Sequence, residues 1–314
     1  MVTDRPRVVI ILGPTGVGKS KLAMQLAEEL GGEIVSADSM QVYQYMDIGT
    51  AKPTPDEQRQ VKHHLIDLVA PDQPFHAGLY RALGRKTIDQ LFKEEKPIWV
   101  VGGTGLYIRA LIQGLFTSPK IDPDIRENLK RKAQEGGSAA LHQRLREVDP
   151  ATADRLHPND LLRIIRALEI FDATGVPISF YRDQHRFGER PYRTLKIGLE
   201  MDRQSLYHRI DQRVDRMIEQ GLLQEVRNLL AMGYSSQLKP MQSLGYKQVV
   251  QYLSQKSGWE EAVTQIKRDT RHYAKRQWTW FKADPEIQWR DASVDRERLF
   301  QEIRLFLEEG GLQR

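Results

Sequence analysis

The chain is 314 residues long, 40% hydrophobic and 28% charged, with 47 Lys and Arg against 42 Asp and Glu for a net charge of +5. It has no cysteine, which excludes disulfides, thiolate zinc sites and cysteine nucleophiles, and no apolar run approaches the roughly 20 residues of a membrane span. The length suits roughly two domains, and so small a positive surplus fits a nucleic-acid partner without requiring one.

Asp4, Arg5 and Arg7 lead into the first apolar run with no signal-peptide pattern, so a cytoplasmic protein is expected. Residues 8–12 predict a strand and 20–30 a helix, with Leu22, Ala23, Leu26, Ala27 and Leu30 on one face. Residues 33–37 predict a second strand, 64–68 a third and 98–101 a fourth, with a helix over 75–94 and another opening at Leu106. Strands alternating with helices imply an α/β fold with a parallel sheet, whose ligand sits beyond the carboxyl ends of the strands. The loops 13–20, 38–50 and 102–107 should converge there. From Pro119 the pattern turns helical and polar over 122–136, 138–148, 158–174 and 179–185. Residues 194–201 alternate like a strand returning to the sheet. Asp202 caps a helix running toward Met232, and 240–310 read as helical. The expected organisation is a core from 1–117, a helical insertion over 118–192, and a return to the core with a basic helical region over 193–314.

The first strand runs straight into Gly13, Pro14, Thr15, Gly16, Val17, Gly18, Lys19 and Ser20, a full G-x-x-x-x-G-K-[ST] loop opening a helix. Glycines let backbone N–H groups turn inward on a phosphate, Lys19 reaches its oxygens, and the Ser20 hydroxyl suits Mg²⁺. Asp38 follows the second strand, where a carboxylate could bind a metal, act as a general base, or merely cap a turn. The fourth strand ends in Gly102, Gly103 and Thr104 with no acidic residue. That composition fits an oxyanion held by N–H groups and one hydroxyl, or glycines relieving close packing. Arg209 and Arg213 share a helix face with Asp211 and Asp215, as phosphate ligands or as a solvated ion-paired helix. Lys267, Arg268, Arg271 and Lys275 fall within about 100° of one helix face. Such a face fits a phosphate backbone, an acidic partner or plain solvent.

Together, these motifs carry a resemblance. The loop 13–20, Ser36-Ala37-Asp38-Ser39, Asp47-Ile48-Gly49-Thr50-Ala51-Lys52-Pro53, Gly102-Gly103-Thr104-Gly105, His157-Pro158-Asn159-Asp160, Gly245-Tyr246 and Ala274-Lys275-Arg276-Gln277-Trp278 are similar, over nearly the full length, to the bacterial tRNA dimethylallyltransferases. The resemblance implies a phosphate-loop nucleoside-triphosphatase type of sheet. It implies transfer of the dimethylallyl group of dimethylallyl diphosphate to N6 of adenosine 37 in tRNA, with Mg²⁺ required and diphosphate released. It places the diphosphate on residues 13–20, the catalytic aspartate on Asp38, the transfer point near Thr104 and a diphosphate contact on Arg213. The tRNA anticodon stem-loop then meets Asp38, Ser39, Met40 and Gln41; Arg126; Leu162, Arg163, Ile164, Ile165 and Arg166; and Gln242, Ser243, Leu244, Gly245, Tyr246 and Lys247. Gln242 and Lys247 stand where the family often has arginine. The insertion resembles the small helical domain of the family that closes over the anticodon loop. The family's eukaryotic members carry a zinc finger, which a chain without cysteine does not share. A monomer is the default expectation. The residues taken alone also fit a phosphate-loop kinase of a small metabolite, or a non-enzymatic RNA-binding module.

Overall fold

The structure, a computed structural model, describes residues 5–116, 121–291 and 296–308. The described residues form two compact units, one within 1–112 and 190–314 and the other within 113–189. The boundary expected at 117/118 lies outside the described residues. In chain order the elements begin β1 (Arg7–Leu12), α1 (Lys19–Leu30), β2 (Glu33–Ser36), α2 (Pro55–Gln60), β3 (His63–His64), α3 (Ala77–Lys93), β4 (Ile98–Gly102) and α4 (Gly105–Gln113). Next come α5 (Pro123–Val148), α6 (Pro150–Ala153), α7 (Leu161–Thr174) and α8 (Ile178–His185). The chain then gives β5 (Arg193–Glu200), α9 (Arg203–Glu219), α10 (Leu222–Ala231), α11 (Tyr246–Leu253), α12 (Trp259–Lys282), β6 (Gln288–Asp291) and α13 (Arg296–Glu308).

The sheet order is β3-β2-β4-β1-β5-β6, and every pairing is parallel. This is the α/β sheet the sequence predicts. Val8, Val9, Ile10 and Ile11 of β1 are fully buried, because a strand inside a parallel sheet is covered on both faces. Ala23, Leu26 and Ala27 of α1, Leu206 and Ile210 of α9, and Leu299, Phe300 and Ile303 of α13 join its core. In the second unit Leu129, Leu141 and Leu145 of α5 pack with Ile164, Ile165 and Leu168 of α7. The helices expected at 122–136 and 138–148 meet at Gly137, where α5 breaks.

Three elements differ from expectation. The third strand is only His63–His64. The helix predicted to reach Met232 breaks at Gly221 into α9 and α10. The last third, read as helical, contains β6, an edge strand paired with β5. Its Gln-Trp-Arg-Asp sequence lacks the apolar alternation that would mark a strand.

The ends of β1, β2 and β4 are drawn tightly together. Ala37 N–H donates to Val101 O at 2.7 Å, and Thr104 N–H donates to Ala37 O at 3.1 Å. A Cβ on Gly102 would lie 2.2 Å from Ala37 O, so only glycine lets β2 and β4 approach this closely. Gly102→Ala should cost about 2–4 kcal/mol in urea unfolding, since backbone cannot move aside as a flexible side chain can. Gly258→Ala, at φ −73° with open space around the position, should stay within about 0.5 kcal/mol. Equal costs would contradict this account of Gly102.

Candidate functional site

The phosphate loop leaves the carboxyl end of β1 and turns into α1. Gly18, at φ 107°, is the N-cap of α1 and supplies no capping side chain. The first N–H groups of the helix are therefore left for a ligand, with the positive end of the helix dipole behind them. Lys19 Nζ donates to Pro14 O at 2.8 Å, which folds its side chain back over the loop. Ser20 is exposed at the start of α1.

Asp38 lies just past β2. Its Oδ1 accepts the N–H groups of Met40 at 2.8 Å and Gln41 at 3.3 Å, so the turn-capping role is real. Among the described residues its Oδ2 has no hydrogen-bond partner and is left to face a ligand. Beside it the Thr104 hydroxyl accepts the Ser39 N–H at 3.0 Å. The expected convergence of the three loops is therefore present. Asp38, Arg213 and Thr15 line one pocket of about 300 Å³ with Tyr246, Tyr273 and Arg276.

The electrostatics of this pocket are unbalanced. Burial, reinforced by Arg213, pushes the Lys19 ammonium down to about 7, although Asp38 acts in the opposite direction. Burial likewise lowers Arg213, with Asp38 opposing and Arg216 adding to the fall; a guanidinium nevertheless stays charged. Two cations thus share one carboxylate. Burial, and then the charge of Asp38, push the Tyr273 phenol up to about 12, so it remains protonated. Arg209 does not line this pocket; it reaches the other side of the phosphate loop, where it lines a cleft with Gly18, Lys21, Asp291 and Arg296.

The other predicted contact residues divide by location. Ser39, Met40, Ser243, Leu244, Gly245 and Tyr246 line the pocket, while Gln41 Nε2 donates to Ala51 O at 3.1 Å and braces the loop. Tyr246 is fully buried, and its hydroxyl donates to Glu225 at 2.6 Å. That carboxylate also accepts the N–H groups of Asp47, Ile48 and Gly49, fixing the loop after Asp38. Gln242 and Lys247 line an adjoining cleft with His272 and Arg276. In the second unit Arg126 binds Glu169 in bidentate fashion at 2.6 and 2.8 Å, and Arg166 binds the same carboxylate. Burial opposes the ionisation of Glu169, but the Arg126 and Arg166 hydrogen bonds hold its pKa below the usual value. Leu162 is 83% exposed, whereas Ile164 and Ile165 are buried. Side-chain contacts from this segment therefore fall to Leu162, Arg163 and Arg166.

The basic face expected on α12 is largely neutralised. Lys267 pairs with Asp215 at 2.6 Å, Arg271 grips both oxygens of Asp211, and Arg268 pairs with Asp269 at 3.0 Å. The acids that the sequence pattern pairs with Arg209 and Arg213 instead serve the facing helix. Of the four cations, only Lys275 is without an acidic partner among the described residues. The sequence patterns assign no role to Tyr273, Arg276, Gln277 or Glu225. The one readable signal is a glutamine at 277 within the otherwise mostly apolar buried stripe of Ala262, Ile266, Thr270, Ala274 and Phe281.

Among the described residues no three His, Cys, Asp or Glu side chains group as metal ligands. The donors at hand are the Ser20 hydroxyl and the Asp38 carboxylate. Such a sparse set fits Mg²⁺ carried by substrate phosphates and water, and no caged metal. No helix of the described residues is long and apolar enough to cross a membrane.

The family model described as IPP transferase matches residues 41–284. The tRNA dimethylallyltransferase of Syntrophobacter fumaroxidans is 56% identical over 91% of this chain and 84% of its own length. That of Desulfosudis oleivorans is 52% identical over 98% of each chain. Among solved structures, the full-length tRNA isopentenylpyrophosphate transferase of Bacillus halodurans matches with a TM-score of 0.73 and 39% identity, over 98% of this chain and 99% of that one. A eukaryotic dimethylallyltransferase acting on tRNA matches with a TM-score of 0.83 and 28% identity, over 97% of this chain and 80% of that one. None of these relatives is a kinase or a bare RNA-binding module.

Two measurements follow from the charges. An arriving diphosphate should raise the depressed pKa of Lys19, so binding should take up nearly one proton per site at pH 8 and about half a proton at pH 7. Affinity should be strongest below pH 7 and weaken as pH rises through it. Calorimetry in buffers of different ionisation enthalpy reads the uptake, which Lys19→Met should abolish; equal uptake in both proteins would contradict it. On α12, Lys275→Ala should flatten the plot of log K for RNA against log salt by up to about 0.7–0.9. Arg271→Ala should flatten it by much less, because its charge is already spent on Asp211.

Proposed function

This chain belongs to the IPP transferase family and transfers the dimethylallyl group to tRNA, and we propose that the acceptor is N6 of adenosine 37, beside the anticodon, with diphosphate released. The observation that carries the chemistry is the pocket lined by Arg213 and by Asp38, a carboxylate with one oxygen free, with Lys19 of the phosphate loop close enough to feel both charges. Two half-buried cations with a single countercharge are held at a cost that an incoming anion lowers.

In the reaction the bond between the allylic carbon and the diphosphate oxygen breaks, and its electron pair leaves with the oxygen. Lys19, Arg213 and the N–H groups at the start of α1 stabilise that developing charge. An adenine amino group is a weak nucleophile, because its lone pair is drawn into the ring. Asp38 Oδ2 accepts its hydrogen bond, orients the lone pair toward carbon, and takes the proton as the carbon–nitrogen bond forms. Thr104, held by Ser39, borders the transfer point. The Ser20 hydroxyl would help to hold Mg²⁺, which would supply further neutralisation of the leaving group.

The adenosine must leave the stack of the anticodon loop to enter the pocket. Ser39, Met40 and residues 243–246 receive it there. Arg126, Leu162, Arg163 and Arg166 of the second unit offer further contacts to the anticodon stem-loop, as do Gln242, Lys247 and Lys275.

Incubating the protein with an unmodified anticodon stem-loop, dimethylallyl diphosphate and Mg²⁺ should add one dimethylallyl mass to a single adenosine, located by tandem mass spectrometry. Addition at another base would overturn the assignment. Asp38→Ala should lower the single-turnover rate about 10²–10⁴-fold, while diphosphate affinity holds or rises slightly because a repelling carboxylate is gone. A rate within a few-fold of wild type would remove Asp38 from the mechanism.

A further inference from the structure

We infer that Gln277 is a positioning residue for prenyl transfer, tying the diphosphate cradle to the loop that carries Thr104. The inference rests on the transfer reaction proposed above. Gln277 is 7% exposed, on the inner face of α12. Its Oε1 accepts the Thr15 N–H at 2.8 Å, and its Nε2 donates to Gly103 O at 2.9 Å. Both partners are backbone groups with fixed roles, so the orientation of the amide is determined without ambiguity.

The ladder between β1 and β4 ends at the pair Leu12↔Gly102. Beyond it no ladder pair joins the phosphate loop to the loop after β4, and the Gln277 amide bridges them. A Cβ at Gly103 would fall 2.2 Å from Gln277 Nε2, so the second glycine is there to admit this side chain. One helical turn earlier, Tyr273 stands near Gln277 and Thr104 and lines the pocket with Thr15 and Asp38. Thr104 in turn holds Ser39, next to Asp38. A single face of α12 therefore connects the leaving-group side of the pocket, at Thr15, to the acceptor side, at Asp38.

The two halves of the reaction must meet in line at near-contact distance. A misplacement of about 1 Å can cost on the order of 10²-fold in rate. Gln277 touches neither the diphosphate nor the adenine in this arrangement, so its loss should appear in the chemical step and leave binding nearly intact.

The test uses the full chain with dimethylallyl diphosphate and an anticodon stem-loop, under single-turnover conditions with both saturating. Gln277→Met, of similar length but unable to form either hydrogen bond, should slow transfer roughly 10–100-fold. Dissociation constants for dimethylallyl diphosphate and for RNA should stay within about 3-fold, and the Thr15 amide should lose protection from hydrogen exchange. Gln277→Asn keeps the amide but is one methylene short of bridging both loops. It should show the same split, and it carries the test should Gln277→Met not fold. A transfer rate per folded molecule within 2-fold of wild type would overturn the inference, as would a loss confined to binding. Wild-type protein that gives no product would count against the transfer reading itself, which keeps the two failures distinct.

Discussion

Two half-buried cations answered by one carboxylate are the constraint on which this molecule turns. Lys19 is held near pKa 7 by burial and by Arg213, far below the value of about 10.4 expected in an unfolded chain. A lysine lowered in this way costs folding stability at every pH below 7, and the cost fades as pH climbs toward the unfolded value. The fold tolerates this cost because the sheet fixes the phosphate loop rigidly, with β1 fully buried between β4 and β5. In the proposed reaction the same imbalance binds, and later stabilises, the leaving diphosphate.

The rest of the first unit serves that arrangement. Gly102 lets β2 and β4 close up, which places Asp38 and Thr104 side by side. Glu225 gathers three successive N–H groups of residues 47–49 and the Tyr246 hydroxyl, so the loop after Asp38 is pinned against α10 and α11. Helix α12 supplies Tyr273 and Arg276 to the pocket, and Gln277 behind it braces the loops. On its other side it spends Lys267 and Arg271 on the acids of α9. Its positive charge is thus partly structural, and less of it is left for a partner than the sequence suggests.

Local chemistry is legible in the amino-acid sequence. Gly13 to Ser20 after an apolar strand specifies a phosphate site, and Asp38 one strand later has only one crevice to occupy. The parallel sheet follows from strands alternating with helices. Pairing between distant segments is not legible. The edge strand β6 has no apolar alternation, because only β5 and the edge position define it. Asp211 and Asp215 stand two residues from plausible local partners in Arg209 and Arg213, yet they face α12 across a helix interface. Gln277 is visible only as a polar residue in a buried stripe, and its partners lie 262 and 174 residues away.

The central claim is most directly tested by the thermal stability of Arg213→Met, with and without dimethylallyl diphosphate and Mg²⁺. Removing one of two half-buried cations that share a single carboxylate should leave the free protein as stable as wild type or more so. The stabilisation that diphosphate gives to wild type should then be largely lost. A variant that melts well below wild type when free, yet gains the full stabilisation from diphosphate, would show Arg213 to be a structural residue and would contradict the account.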